Sequence, residues 1–375
     1  MVSDGIRYHS SESEMKIIRS SKTSLKFATA KKQEIINEIL DEYARVANFF
    51  IGWFWEHPEI RTKNALTKEI YNLADDTWLS ARMRQCAARE ALGMVLGALS
   101  GAKEKGIDPV RPRHTGKKMI LSSQIVRIEK GRNSFDIWLV IRSVGNKIKI
   151  RIPLKSHRHM NLFSDWKRAD SVVIHRNYVM FSFEKETGAK KETGKCIGID
   201  VGISHLLATS EGYLYGSETK NLINKIKRKK QGSKAYKRAK KTLSYYLHRI
   251  TKECLEWDHL RLVVVERLKN LKQNGRKKKN RTKEFRKTLS NWNYRELLRI
   301  IEMRSEENRV SFRSVNPYKT SQTCPACSHA ERGNRINENF KCLKCGYSGQ
   351  ADIVGSLNIL TRFTTGRYGA GFKTF

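Results

Sequence analysis

No apolar run in this chain approaches the ~18 residues that a membrane-spanning helix needs; the longest lies around Phe49 to Trp55. A spanning helix is therefore excluded. The first residues, Met1 to Ser13, are polar and mixed in charge, so they do not read as a secretory signal. Acidic residues are scarce: Asp plus Glu number 37 against 74 Lys plus Arg, a formal net charge of +37. That imbalance points to a polyanionic partner, nucleic acid before membrane. No internal repeat is visible. Outside one C-terminal window, cysteine is confined to Cys86, Cys196 and Cys254. Such scattered thiols fit a reducing, cytoplasmic setting.

That window reads Cys324-Pro-Ala-Cys327, fourteen residues, then Cys342-Leu-Lys-Cys345-Gly346. Two Cys-x-x-Cys knuckles at this separation suit one tetrahedral zinc ion held by Cys324, Cys327, Cys342 and Cys345. Pro325 and Gly346 fit the tight turns that aim two sulfurs at one metal. Seven residues after the last thiol stands Asp352.

The rest of the chain changes period several times. Met15 to Ile18 and Leu25 to Phe27 are strand-like. From Lys31, Ile36, Ile39, Leu40, Tyr43, Ala47 and Phe50 follow helical spacing, and a second helix is expected over 65–102. Trp53 and Trp55 read as core residues, with base stacking as the alternative. After a break at Gly106 to Pro112, β-branched and aromatic residues predict strands over 120–128, 134–142, 147–152, 171–174 and 178–184. These read as a small antiparallel barrel or sandwich with Arg142, Lys147, Lys149 and Arg151 on a phosphate-contacting face. A polar linker over 186–195 opens a new domain.

In that domain, Cys196-Ile-Gly-Ile-Asp200 and Leu262-Val-Val-Val-Glu266 are buried-strand patterns, each ending in a carboxylate. Charge is costly to bury at such places without a purpose. Asp200, Glu266 and Asp352 together form the oxygen-ligand set that a phosphodiester-cutting enzyme needs to hold two Mg²⁺ ions. Blander readings stand beside this one: Asp200 as a turn residue, Glu266 paired with Arg261 or Arg267, Asp352 as a helix cap.

The run Gly198-Ile-Asp200-Val-Gly202, then Val264-Val-Glu266-Arg-Leu268, then the cysteine unit with Ala351-Asp352 and Asn358-Ile359, resembles the RuvC-like nuclease of TnpB proteins. These are insertion-sequence proteins related to compact type V CRISPR effectors. Leu289 to Leu298 and Pro317 to Cys324 resemble the segments that lead into the zinc knuckles of that family. The resemblance implies an α+β multidomain fold. A β-barrel wedge domain (1–30 and 107–190) would carry a helical recognition insertion (31–106). An RNase H-like (RuvC) α/β nuclease domain (191–362) would follow, with a zinc-binding insertion at 317–350 and a disordered tail at 363–375. It implies an RNA-guided, Mg²⁺-dependent DNA endonuclease of the prokaryotic cytoplasm, with Asp200, Glu266 and Asp352 as catalytic metal ligands; a monomer is favoured, with two copies on one RNA left open. Its partners would be a guide RNA from the mobile-element end and target double-stranded DNA beside a short flanking motif, with no membrane partner. A cleavage-deficient RNA-guided regulator, or a CRISPR-encoded effector of the same chemistry, is the alternative. The pattern departs from the family at Ile353-Val-Gly-Ser356, where Asn-Ala-Ala is frequent, at Arg267, and at Ser328, where Gly is common.

Two basic stretches remain. One helix-like stretch over 225–241 carries Lys227, Arg228, Lys229, Lys230, Lys237 and Arg238, followed by a second helical stretch over 243–257. The other, over 269–287, carries Arg276, Lys277, Lys278 and Lys279 and reads as a mobile loop. Both are expected to contact phosphates without reading sequence.

Overall fold

The computed structural model describes residues 15–132, 134–143, 148–268 and 282–366. They fall into two compact units, one of Lys16–Glu186 and one beginning at Thr187.

In the first unit, strand β1 (Met15–Ser24) is followed by helix α1 (Ala30–Glu56), the short α2 (Lys68–Asn72) and α3 (Ala81–Lys105). The expected single helix over 65–102 is thus two. Thr67 and Ser80 each turn a side-chain oxygen to a backbone N–H of the next turn, capping α2 and α3 separately. Strands β2 (Lys118–Leu121), β3 (Val126–Lys130), β4 (Ile137–Arg142) and β5 (Lys149–Leu154) follow. Then come α4 (Arg158–Asn161), β6 (Lys167–His175) and β7 (Tyr178–Thr187).

These strands do not close into a barrel. They form one open sheet in the order β1-β7-β6-β2 and a separate meander, β3-β4-β5. The expected strand over 120–128 breaks at a turn where Ile125 and Val126 donate to Ser122 O, and its halves join different sheets. Helices α1 and α3 pack against β2, which ends the sheet order on that side. One continuous apolar core, with Tyr43, Phe50, Leu92, Ile141 and Phe181 fully buried, joins helices and both sheets. Trp53 and Trp55 pack partly buried against it.

The second unit is built on a mixed sheet. Strands β8 (Lys195–Val201), β9 (Leu207–Thr209) and β10 (Leu214–Tyr215) form a meander. Helices α5 (Thr219–Lys227) and α6 (Lys234–Glu253) lead to β11 (Leu260–Glu266). Helices α7 (Lys283–Asn291) and α8 (Tyr294–Glu307) precede β12 (Ser311–Val315). The sheet order is β10-β9-β8-β11-β12, with β11 parallel to both β8 and β12. The basic stretch over 225–241 is not one helix, because Gly232 takes a positive φ of 84° and Ser233 caps a new one. Part of the expected mobile loop, from Lys283, is helical.

Alternation along the strands decides which face each side chain meets. Ile197, Ile199, Val263 and Val265 enter the large core with α5, α6 and α8. Leu262 and Val264 face the other way, with Cys196, onto Ile359 and Leu360 of α9 (Ala351–Thr364). Both sheet faces are thus covered, which is why these strands read as continuous apolar runs. Between β12 and α9 lies the cysteine unit, with three short antiparallel strands, β13 (Arg335–Ile336), β14 (Asn339–Lys341) and β15 (Ser348–Gln350).

Candidate functional site: a carboxylate cluster beside four thiols

The period-2 rule puts Asp200, in line with Cys196 and Gly198, on the α9 face of the sheet. Glu266, in line with Leu262 and Val264, shares that face. Parallel pairing of Val265 with Ile199 makes Asp200 and Glu266 neighbours at the ends of adjacent strands. Asp352 joins them from the first turn of α9. The cap of that helix is Gln350, whose Oε1 accepts from the N–H groups of Asp352 (2.7 Å) and Ile353 (2.9 Å), so the Asp352 carboxylate is free for other work. Arg261 donates instead to the carbonyl of Gly194 (3.1 Å).

The cluster is electrostatically strained. Loss of solvent, then the charges of Glu266 and Asp352, push the Asp200 carboxyl well above the usual carboxylate range; Arg335 opposes this. Glu266 is also pushed up by burial, against the Thr320 hydroxyl and the guanidinium groups of Arg362 and Arg335. Arg335 Nη2, from β13, donates to Asp352 Oδ1 at 2.8 Å. His205 Nδ1, buried without a hydrogen bond, lies 3.8 Å from Asp352 Oδ2. Buried hard oxygen donors gathered at one place are a donor set that fits a divalent cation.

The four cysteines converge more tightly. Cys324 Sγ lies 3.6 Å from Cys345 Sγ, and Cys327 Sγ 3.5 Å from Cys342 Sγ. Among the described residues this is the one set of three or more His, Cys, Asp or Glu side chains whose ligand atoms all lie within 4.8 Å of one another. Four sulfurs at ~2.3 Å from one zinc ion stand about 3.8 Å apart, so these thiols fit such an ion. All four are free of disulfides. Against the cost of burial, N–H groups of Cys345 and Lys344 and neighbouring thiols bring the Cys342 thiol down to about 6. The two knuckles turn alike: Ser328 N donates to Cys324 O (2.9 Å) and Gly346 N to Cys342 O (3.0 Å). Both turn residues have positive φ, 59° at Ser328 and 76° at Gly346.

Of the basic residues, Arg228, Lys229 and Lys230 are exposed in the turn after α5, and Lys237 and Arg238 are exposed on α6. Lys227 differs. Its ammonium pairs with Glu284 and donates to Asn224 Oδ1 (3.1 Å) and Thr288 Oγ1 (3.0 Å), tying α5 to α7. Arg276, Lys277, Lys278 and Lys279 lie outside the described residues, as does Lys147; of the tail expected to be disordered over 363–375, residues 363 and 364 instead continue α9, and 367–375 lie outside the described residues.

Sequence reasoning missed four residues of the carboxylate site: Arg335, His205, Thr320 and Gly355. Gly355 left a signal, since glycine inside a helix is unfavourable by ~1 kcal/mol against alanine and asks for a packing reason. Here a Cβ on it would stand 2.9 Å from Asp200 Oδ2.

Residues 294–359 match the family model of the Cas12f1-like TNB domain. A TnpB-like protein of Methanocaldococcus jannaschii is 30% identical over 152 residues, 38% of this chain and 51% of that protein. A CRISPR-associated endodeoxyribonuclease, Cas12f2, of a Micrarchaeota archaeon is 25% identical over 297 residues, 65% of this chain and 53% of that protein. The chain thus spans about half the length of these relatives. In the cryo-EM structure of a Cas12f1–sgRNA–target DNA complex, a chain superposes with a TM-score of 0.56 at 16% identity. The match covers 88% of this chain and 83% of that one, and shows a shared α+β fold. A matching family model over the cysteine unit, a TnpB-like relative and this shared fold make the chain similar to TnpB-like and Cas12f proteins.

Proposed function

We propose that this protein is an RNA-guided DNA endonuclease, with Asp200, Glu266 and Asp352 as its catalytic carboxylates. The observation that carries the reading is their assembly on one face of the β8–β11 pair and at the start of α9, in a chain of net charge +37. Held there, Mg²⁺ supplies charge neutralisation and Lewis acidity toward a phosphodiester. Arg335 and Arg362 temper the negative field at the site. Residues 191–362, within the second unit, serve as the RuvC-like nuclease domain, and Cys324, Cys327, Cys342 and Cys345 hold structural Zn²⁺ within 317–350.

Residues 1–30 and 107–190, with the helical insertion 31–106, serve nucleic-acid binding. The partners are a guide RNA and target double-stranded DNA with a short flanking motif. Arg228, Lys229, Lys230, Lys237 and Arg238 contact phosphates.

The test is cleavage of a plasmid library carrying a fixed target beside randomised bases. The protein is co-expressed with the transcript of its gene's own 3′ flank, and Mg²⁺ is supplied. Depletion of plasmids sharing one short flanking motif is expected, and Glu266→Ala should abolish it while RNA still co-purifies. Depletion by the Glu266→Ala variant would refute the site. No depletion by the native protein, with RNA bound, would make it a binding-only regulator.

A further inference from the structure

We infer that Thr320 is a positioning residue for Glu266, and that α9 holds it in register with Asp352 through Asn358. The inference rests on the reading of Glu266 as a cation ligand.

Glu266 ends β11, and a glutamate has three side-chain torsions to fix before its oxygens point anywhere definite. The hydroxyl of Thr320 donates to Glu266 Oε1. Thr320 is buried, at 2% exposure, and β-branching leaves it few rotamers. Its single proton has a second acceptor within reach, Pro317 O at 3.1 Å. A carboxylate is the stronger acceptor, so the proton goes to Glu266. One carboxylate oxygen is thereby engaged and the other stays available.

The hydroxyl is itself referenced to α9. Asn358 Nδ2 donates to both Thr320 O and Thr323 O, each at 2.7 Å. Arg362 Nη1, one turn further along the helix, donates to Asn316 O at 2.9 Å. The loop between β12 and the first knuckle is thus bound along its length to the helix that carries Asp352. Within it Lys319 takes a positive φ of 54°, an uncommon state for a non-glycine residue that persists only where surrounding contacts over-determine it. Two carboxylates from elements 86 positions apart (266 and 352) are therefore set by one helix.

The test compares full-length, zinc-loaded protein with Thr320→Val, Thr320→Ser and Glu266→Gln variants. Mn²⁺ binding is read by calorimetry, zinc content by chelator release, and plasmid cleavage alongside. Valine keeps the shape of threonine and removes the hydroxyl; serine keeps the hydroxyl. Thr320→Val should bind Mn²⁺ roughly 10-fold or more weakly, the loss typical of an outer partner of a metal ligand, with zinc content unchanged. Its cleavage should fall mainly in kcat. Thr320→Ser should recover most of both. If Glu266→Gln loses Mn²⁺ affinity but Thr320→Val does not, the inference falls and the site stands. If Thr320→Val also loses zinc, Thr320 is merely structural and the inference falls. If Glu266→Gln binds Mn²⁺ like the native protein, the reading beneath the inference falls with it.

Discussion

Replacing Gly355 by alanine sets two effects of similar size against each other. The residue lies inside α9, where alanine gains ~1 kcal/mol over glycine. The added Cβ would stand 2.9 Å from Asp200 Oδ2 and 3.5 Å from its Cγ. Carbon–oxygen contacts settle near ~3.4 Å, so the carboxylate must retreat by roughly half an ångström. Overpacking costs about 1–3 kcal/mol, and yielding at the tip of a side chain lies at the low end. The net change in unfolding free energy by urea should therefore stay within about 1 kcal/mol. Function should suffer more. A misplacement of ~1 Å costs about 100-fold in rate, so half of that predicts a loss of roughly tenfold in plasmid cleavage. Gly198→Ala is the control. Its Cβ would meet the backbone oxygen of Ser356 at 2.2 Å and Leu360 N at 3.0 Å. Backbone cannot yield as a side chain does, so this variant should lose roughly 3 kcal/mol or more. A Gly355→Ala protein that folds and cuts at the native rate would refute the placement of Asp200 in the active site.

Cys342→Ser should release zinc and unfold the segment around β13, β14 and β15, seen as fast amide exchange there; a zinc-free variant with native exchange would remove the structural role of the thiols. Ser328→Gly should stabilise the first knuckle by about 0.5 kcal/mol, because a left-handed non-glycine residue costs ~1–2 kcal/mol and glycine returns part of that as unfolded-state entropy. A lower melting temperature for this variant would show that the φ of 59° is unstrained. Glu90 is buried, and burial alone would raise its carboxyl, but His114 and Lys118 outweigh it and hold the group below the ordinary glutamate value of 4.5. A lowered folded value means stability that is present above pH ~4.5 and lost as pH falls through the folded value. Glu90→Gln should thus flatten the acid limb of the unfolding curve at a cost of roughly 1–2 kcal/mol at neutral pH, and an unchanged acid limb would count against the network.

The three clustered carboxylates were legible because each left a local mark. Asp200 and Glu266 close runs of β-branched residues, and Asp352 follows the thiols at short range. The knuckles were legible because cysteine spacing alone encodes their geometry. Other features depend on contacts far along the chain. Thr320 meets Glu266 across 54 positions and Asn358 meets Thr320 across 38. A threonine in a polar loop carries no mark of either contact. The two breaks in expected helices had visible signals at Gly232-Ser233 and Ser80, but helical composition on both sides masked them. The barrel expectation failed for a different reason. Strand periodicity says which segments extend, not which edges pair, and here the strands pair into two separate sheets.

The position of the cysteine unit, between β12 and α9, has a physical rationale in the residues it delivers. β12 ends at Val315, paired with Glu266 in the sheet, and α9 begins beside Asp352. The chain must travel from one carboxylate to the other, and the path is a thiol cluster with little apolar core of its own: Phe340, Val354 and Ala351 beside Cys324 and Cys342. So small a core cannot hold a fixed geometry without a further staple. Yet two side chains on that path act on the carboxylates, Thr320 on Glu266 before the first knuckle and Arg335 on Asp352 between the two. Neither contact tolerates much slack, because a hydrogen bond weakens steeply with distance and angle. A metal at the thiols therefore reaches the carboxylates through Thr320 and Arg335, although no cysteine touches them. Losing it should loosen Glu266 and Asp352 together, whereas Thr320→Val should loosen Glu266 alone.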